Sequence, residues 1–301
     1  MIEVRRYQAS DLLEVTTFLR SIQSLDPDFD APEDAAFANF VNQSVNRGGK
    51  DFRLAYVGDR LVGALFSGRY KVLDRADWVR GFRIIVNPQG RALGAADMLH
   101  DVLNEQDIDR GLIHRTVLAG EQSCDSDLLN ERGFELVQRI VIMRRLGPPP
   151  ALNALPSNFS IRDADIHRDA PFITHLSNVA NRRNFGFAPL LESELKETVD
   201  APGGRLLVLE TKQGRVVGST QTLPFFDNVG VLHSVYVDPE FQGRGLGRFL
   251  VLAALNALAQ HGYRCVELSV DEKNITANNL YSTLDFEVYR IDETFERIRA
   301  Q

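Results

Sequence analysis

Three segments of this 301-residue chain recur in the same order at almost one spacing. Val57-Gly58-Asp59-Arg60-Leu61-Val62-Gly63 returns as Lys212-Gln213-Gly214-Arg215-Val216-Val217-Gly218, 155 residues on, from Arg60 to Arg215. Val86-Asn87-Pro88-Gln89-Gly90-Arg91-Ala92-Leu93-Gly94 returns as Val237 to Pro239 followed by Gln242 to Gly247, 153 residues on, from Gln89 to Gln242. Leu129 to Phe134 returns as Tyr281 to Phe286, 152 residues on. A single match carries little; three in order mark an internal duplication. That constrains the architecture before any element is assigned: two domains of one topology, each of ordinary domain size.

The seam also shows. A strand-like run, Leu136 to Met143, ends at Arg144-Arg145-Leu146-Gly147-Pro148-Pro149-Pro150. Three prolines cannot donate in a sheet interior and favour extended polyproline II backbone. The expected domains are therefore residues 1–146 and 158–301, joined by a semi-rigid, Pro-rich linker at 147–157.

Composition bears on the function class. With 44% hydrophobic and 25% charged residues, each half can bury a core of its own. The balance of 34 Lys and Arg against 41 Asp and Glu gives −7, which argues against a nucleic-acid partner and is compatible with a cationic substrate. Cys124 and Cys265 fall one in each half without a CxxC or Cys/His neighbour, so neither a disulfide framework nor a metal site is expected. Met1 to Tyr7 has no apolar signal-peptide core, and no run reaches the ~18 residues of a membrane span. The expectation is a cytoplasmic protein without a membrane partner.

Each half reads in one order. A short strand (Ile2 to Arg6; Phe159 to Arg162) leads to helical, polar-rich segments, then to a hairpin turning at Gly58-Asp59 or Gln213-Gly214. A third strand follows (Phe82 to Val86; Val231 to Val237), then a glycine-rich turn and a helix. In the second half that helix shows Leu246, Phe249, Leu250, Ala253, Ala254, Ala257 and Leu258 on one stripe, stopped by His261-Gly262. A strand at Cys265 to Val270, a helix from Asn274 to Leu284 and a last strand at Glu287 to Ile291 complete it. The mixture predicts an α/β or α+β fold.

The turn between strand and helix carries the chemistry. In Gln242-Gly243-Arg244-Gly245-Leu246-Gly247, glycines at alternate positions let backbone approach a ligand closely. Free N–H groups and the positive end of a helix dipole make an anion site there, and Arg244 and Arg248 add charge for phosphates. No Lys-Ser or Lys-Thr follows, as a P-loop requires, and Arg248 stands where a dinucleotide fingerprint needs glycine. Taken by itself, the segment is either an anion cradle or a tight turn.

Its surroundings decide between these. Val235-x-Val237-Asp238-Pro239 followed by QxxGxG, then Asn274-x-x-Ala277-x-x-Leu280-Tyr281 with Phe286, resembles the GNAT acetyltransferase family over about Phe159 to Phe295. The resemblance implies two tandem GNAT domains, each a mixed, twisted sheet with splayed central strands flanked by helices. Acetyl-CoA would wedge between Val231 to Val237 and Cys265 to Val270. It implies backbone contacts of Val235, Tyr236 and Val237 with the pantetheine arm and thioester carbonyl. The amides from Gln242 through Gly243, Arg244, Gly245, Leu246 and Gly247 to Arg248 would hold the pyrophosphate. Asn274 would bond the pantetheine, with Asn278 and Asn279 near the CoA, and Tyr281 would be the general acid. A phenol is a chemically suitable proton donor to a departing thiolate.

The general base is less marked. His233 shares a face with Val235 if the strand keeps period two, and is either the base or a hydrogen-bonded sheet histidine. Asn181 to Pro189 falls where the family builds its acceptor site, and either lines that groove or caps the core. The first half departs from the pattern: Ala92 replaces the middle glycine, Gln122 stands at the Asn274 position, and Leu129 stands at the Tyr281 position. CoA binding there stays open, but leucine cannot donate a proton.

The expected activity is N-acetyl transfer from acetyl-CoA to a primary amine, on a small molecule or a peptide N-terminus, catalysed by the second half. The layout also resembles the mycothiol synthases, which implies a cysteinyl pseudo-disaccharide as acceptor. Those would carry an acidic residue on the strand before the loop, and Val231-Leu232-His233-Ser234 has none. A CoA-binding regulatory or interaction protein without turnover is the reading of another class.

Overall fold

The computed structural model describes residues 1–26, 29, 31–71, 78–106, 113–119, 124–151, 154–182, 185, 189–193, 195, 204–224 and 229–298. They form two compact units: Met1–Val137 with Glu293–Gln301, and Gln138–Asp292.

In the first unit, β1 (Ile2–Arg6), β2 (Arg53–Val57), β3 (Arg60–Lys71), β4 (Trp78–Val86) and β5 (Ile113–Ala119) follow one another across the sheet. The helices are α1 (Leu12–Gln23), α2 (Asp34–Asn42), α3 (Pro88–Ala92), α4 (Ala95–Gln106) and α5 (Cys124–Glu131). The sheet is mixed, antiparallel from β1 to β4 and parallel between β4 and β5.

In the second unit the order is β6 (Glu135–Leu146), β11 (Cys265–Asp271), β10 (Val229–Val237), β9 (Val216–Pro224), β8 (Arg205–Thr211) and β7 (Phe159–Asp163). Its helices are α6 (Ile166–Asn181), α7 (Leu246–Gln260) and α8 (Ile275–Ser282). Here β10 and β11 are the parallel pair. The chain closes with β12 (Glu287–Ile298). Residues 138–146 of β6 count with the second unit and 293–298 of β12 with the first, so each half ends by lending strand to the other. The prolines 148–150 lie within the second unit.

The duplication extends to a pair that the sequence does not advertise. Arg5 on β1 grips Asp11 at the start of α1 with two bonds, 2.8 and 3.1 Å, and the Asp11 carboxylate also accepts from the Gln8 amide. Arg162 on β7 grips Asp169 in the first turn of α6 likewise, at 2.6 and 3.1 Å, with the Asp165 amide as the extra donor. In both halves a carboxylate satisfies backbone at a helix start and is itself held below its ordinary pKa; arginine is the largest cause for Asp11, whereas at Asp169 burial opposes the arginines.

Helix α7 anchors the second core. Leu250, Val251, Leu252, Ala254, Leu255 and Leu258 are all at most 2% exposed. At ~25 cal/mol per Å², burying such side chains contributes roughly 1.5–3 kcal/mol each. The helix lies tight on the sheet because Gly230 has no side chain: a Cβ there would meet Leu258 at 2.6 Å.

Candidate active site

The site is built where β10 and β11 part. They pair only from Val229↔Cys265 through Val231↔Glu267. Beyond that, β10 stays with β9 to Val237↔Gly218 and β11 stays with β6 to Asp271↔Ile140. Splayed strands leave main-chain groups of β10 without a strand partner on the opened side, and such groups must find other partners. Val235, Tyr236 and Val237 lie on this splayed portion, half-buried.

A bulge sits in the same strand. Leu232 faces Thr222 and Ser234 faces Gln221, so His233 is the extra residue. Leu232 and Val235, three apart, pack against one cluster. Alternation therefore slips by one, and the period-two rule that would align His233 with Val235 does not hold across the bulge. His233 has an exposed surface, but surrounding protein removes enough water to hold its imidazole below the ordinary value.

The loop after β10 offers an anion site. Gly243 (φ 74°) and Gly245 (φ 73°) are left-handed, and Gly245 is the N-cap of α7. Among the described residues, the N–H groups of Gly243, Arg244, Gly245, Leu246 and Gly247 have no acceptor. The Gln242 side chain donates to the Val237 carbonyl at 3.0 Å and fixes the loop on its strand. Arg248 is tied to Thr283, 3.2 Å to Oγ1, while Arg244 lies over the Phe241 ring at 5.0 Å and is exposed. Two carboxylates border the loop, yet Arg215 binds both, Asp238 at 2.9 Å and Glu240 at 2.8 Å. Sequence reading found Arg215 only as part of a repeat and missed this clamp.

Helix α8 brings the remaining residues. Asn274 is its N-cap, its side-chain oxygen accepting from Ala277 N–H at 3.2 Å. Asn278 donates to the carbonyls of Asp271 (3.0 Å) and Asn274 (2.9 Å), which sets the turn from β11 into the helix. Asn279 is exposed. Tyr281 is half-buried, edge-on to Phe286 at 5.8 Å, and its phenol is pushed up to about 12, first by burial and then by Tyr236. The Tyr236 hydroxyl in turn accepts from Asn181 at 3.2 Å, a link without any sequence signal. Of the segment Asn181 to Pro189, residues 183, 184 and 186–188 lie outside the described residues, as does Gln122.

The equivalent segment of the first unit is built differently. Residues Pro88–Ala92 wind into α3, capped by Asn87. The N–H groups of Gly90, Arg91, Leu93 and Gly94 are bonded within the segment. Ala92 stands where Gly245 is left-handed in the other half. A Cβ makes that conformation costly by about 1–2 kcal/mol, and here the turn closes into a helix. Leu129 is 2% exposed in a core with Leu99, Phe134 and Phe295. Among the described residues no group of three or more His, Cys, Asp or Glu could hold a metal ion, and no helix is long and apolar enough to cross a membrane.

Comparison with known proteins speaks to the family and the fold. The model of the acetyltransferase (GNAT) family matches residues 171–286. The chain is 31% identical over 254 residues to a mycothiol acetyltransferase of Kocuria rhizophila, covering 78% of this chain and 80% of that one. It is 30% identical over 246 residues to a mycothiol acetyltransferase of Kytococcus sedentarius, covering 79% of each. Among solved structures, a GCN5-related N-acetyltransferase from Sphaerobacter thermophilus superposes with a TM-score of 0.77 at 18% identity, over 100% of this chain and 96% of that one. A tandem GNAT protein from the clavulanic acid biosynthesis pathway gives 0.73 at 15% identity, over 100% and 99%. At those identities the structures speak for the fold.

Proposed function

The chain belongs to the GNAT acetyltransferase family as a homologue of the mycothiol acetyltransferases, and from that premise we propose that its second unit moves an acetyl group from acetyl-CoA to a primary amine. The observation that carries this reading is the row of N–H groups from Gly243 to Gly247, free at the start of α7 and beside the opened strand. Such a row suits a pyrophosphate. The Arg215 clamp supports it, because Asp238 and Glu240 would otherwise repel that anion.

The residues divide the work. Main-chain groups on the splayed part of β10, at Val235 to Val237, receive the pantetheine arm and polarise the thioester carbonyl. The amine lone pair attacks that carbon, the C–S bond breaks, and the thiolate takes the Tyr281 proton. A phenol raised by burial keeps that proton at every physiological pH, so it is present when the thiolate forms. The attacking amine gives up its proton to solvent or to a base on the acceptor side; the bulge that takes His233 off the Val235 face removes the alignment that made it the candidate. Asn274 and Asn279 line the approach of the CoA, and Asn278 holds their turn in place.

The sequence similarity favours one acceptor class, the cysteinyl amine of the mycothiol type. The strand before the loop has no carboxylate for such an acceptor, and Glu267 on the neighbouring strand is buried and bonded to Arg144. The test is release of free thiol from acetyl-CoA with a panel of amines that includes this one. Turnover should require an amine and should be lost in Gly245→Val, whose side chain opposes the left-handed cap. No thiol release with any amine, alongside intact CoA binding, would leave the chain as a CoA-binding protein without turnover.

A further inference from the structure

On the α6 face of its sheet the second unit carries a polar row that the chemistry above does not use. Leu206 and Val208 of β8 pack into the α6 cluster. Opposite them in register stand Gln221 and Ser219 of β9, and opposite those stand Ser234 and Tyr236 of β10. Directly opposed residues share a sheet face, so all four lie on the α6 side. Tyr236 packs against the same cluster, whereas its neighbour Val235 packs on the other side with Leu250 of α7.

The row is short of partners. Gln221 is 5% exposed, yet its carboxamide hydrogen-bonds none of the described residues. Ser219 is fully buried and its hydroxyl is also without a partner among them. Of the two, the Ser219 hydroxyl is sealed from solvent and the Gln221 amide is not. The Ser234 carbonyl accepts from Thr220 at 2.8 Å, while its half-buried hydroxyl is unused. Tyr236 accepts from Asn181 and keeps its own proton to give. Folded proteins satisfy nearly all their buried polar groups, so a cluster left over calls for a ligand. The row is also uncharged: Ser219 to Leu223 and Val231 to Tyr236 contain no Asp, Glu, Lys or Arg. It lies at the reacting end of the site. Ser234 and Tyr236 sit where β10 has left β11, and Tyr236 is near enough to raise the Tyr281 phenol. The phosphate loop joins the other end of that segment, after Val237.

We propose that Gln221, with Ser234 beside it, selects acceptors whose amine stands next to an uncharged carboxamide; the inference rests on acetyl transfer by this unit. Gln221 suits a carboxamide because each offers N–H donors and a carbonyl acceptor, and the two bond reciprocally. A site built to bond a group rejects the analogue lacking it, since its own groups are then left unpaired. The whole chain is assayed with S-methylcysteine amide, with 1-(methylsulfanyl)propan-2-amine, which has methyl in place of the amide, and with 1,4-diaminobutane. Values of kcat/KM are taken per neutral amine, which removes differences in amine basicity. The amide should exceed each of the others by about tenfold or more. Gln221→Met keeps the side-chain volume and should erase most of that preference, while KM for acetyl-CoA moves less than twofold, which a general disturbance of the fold would not spare. Circular dichroism checks folding; if Gln221→Met does not fold, Ser234→Ala decides, with a preference narrowed about threefold or more. Equal use of the three amines, turnover of other amines but not of the amide, or a preference that survives the folded variant would overturn the inference and leave acetyl transfer standing. No acetylation of any amine would overturn acetyl transfer itself, and the inference with it.

Discussion

Asn181 donates a 3.2 Å hydrogen bond to the hydroxyl of Tyr236. It joins the last residue of α6 to the strand that leads into the glycine loop. Tyr236 is also one of the two causes that raise the Tyr281 phenol. Removing the donor leaves a half-buried hydroxyl short of a partner, which costs a factor of roughly three to ten. Asn181→Ala should raise KM for the amine by about that factor and leave KM for acetyl-CoA close to wild type, as steady-state kinetics with each substrate varied will read.

Tyr281→Phe keeps the ring that meets Phe286 and removes only the proton donor. We expect kcat to fall by about 10²-fold or more, the ordinary worth of a general acid, with acetyl-CoA affinity unchanged. The pH profile follows from the sign of the shift. The phenol is the acid form below a pKa of about 12, so it adds no falling limb between pH 6 and 10. A falling limb in that range that disappears in Tyr281→Phe would contradict the assigned environment.

Arg215→Ala frees Asp238 and Glu240 beside the phosphate loop. The pair bonds are exposed, so the effect is modest, about two- to fivefold in KM for acetyl-CoA at low salt, and it should shrink as salt screens the carboxylates. An unchanged KM at low salt would mean that the carboxylates do not face the bound anion.

Much of this was legible in the residues. Glycines at 243 and 245, Asn274 as a helix-start residue and Tyr281 seven positions on specify local geometry through short-range rules, and the structure places them on one loop and one helix. What stayed hidden depends on tertiary packing. The bulge at His233 breaks an alternation that the letters Val-Leu-His-Ser do not betray. The exchange of closing strands has no local signature, since strand residues carry no label for the sheet they join. The Asn181–Tyr236 bond spans 55 residues and involves two ordinary side chains.

His100 in the first unit gives a stability prediction. It is 5% exposed, edge-on to Phe82, and its imidazole is lowered from 6.5 to about 4, chiefly by burial and then by nearby arginines. Between those values the unfolded chain binds the extra proton and the folded chain does not. Stability should therefore fall as pH drops from 6.5 towards 4, by on the order of 3 kcal/mol, and level off below. The single tryptophan, Trp78, lies in this unit, so denaturant titration followed by its fluorescence reads that unit. His100→Met should flatten the slope.

The most direct measurement is a crystal structure of the whole chain with CoA. The pyrophosphate should rest on the N–H groups of Gly243 to Gly247, with the sulfur within hydrogen-bond reach of the Tyr281 hydroxyl and the segment Pro88–Ala92 unliganded. CoA held by the first unit alone, or a sulfur remote from Tyr281, would contradict the account.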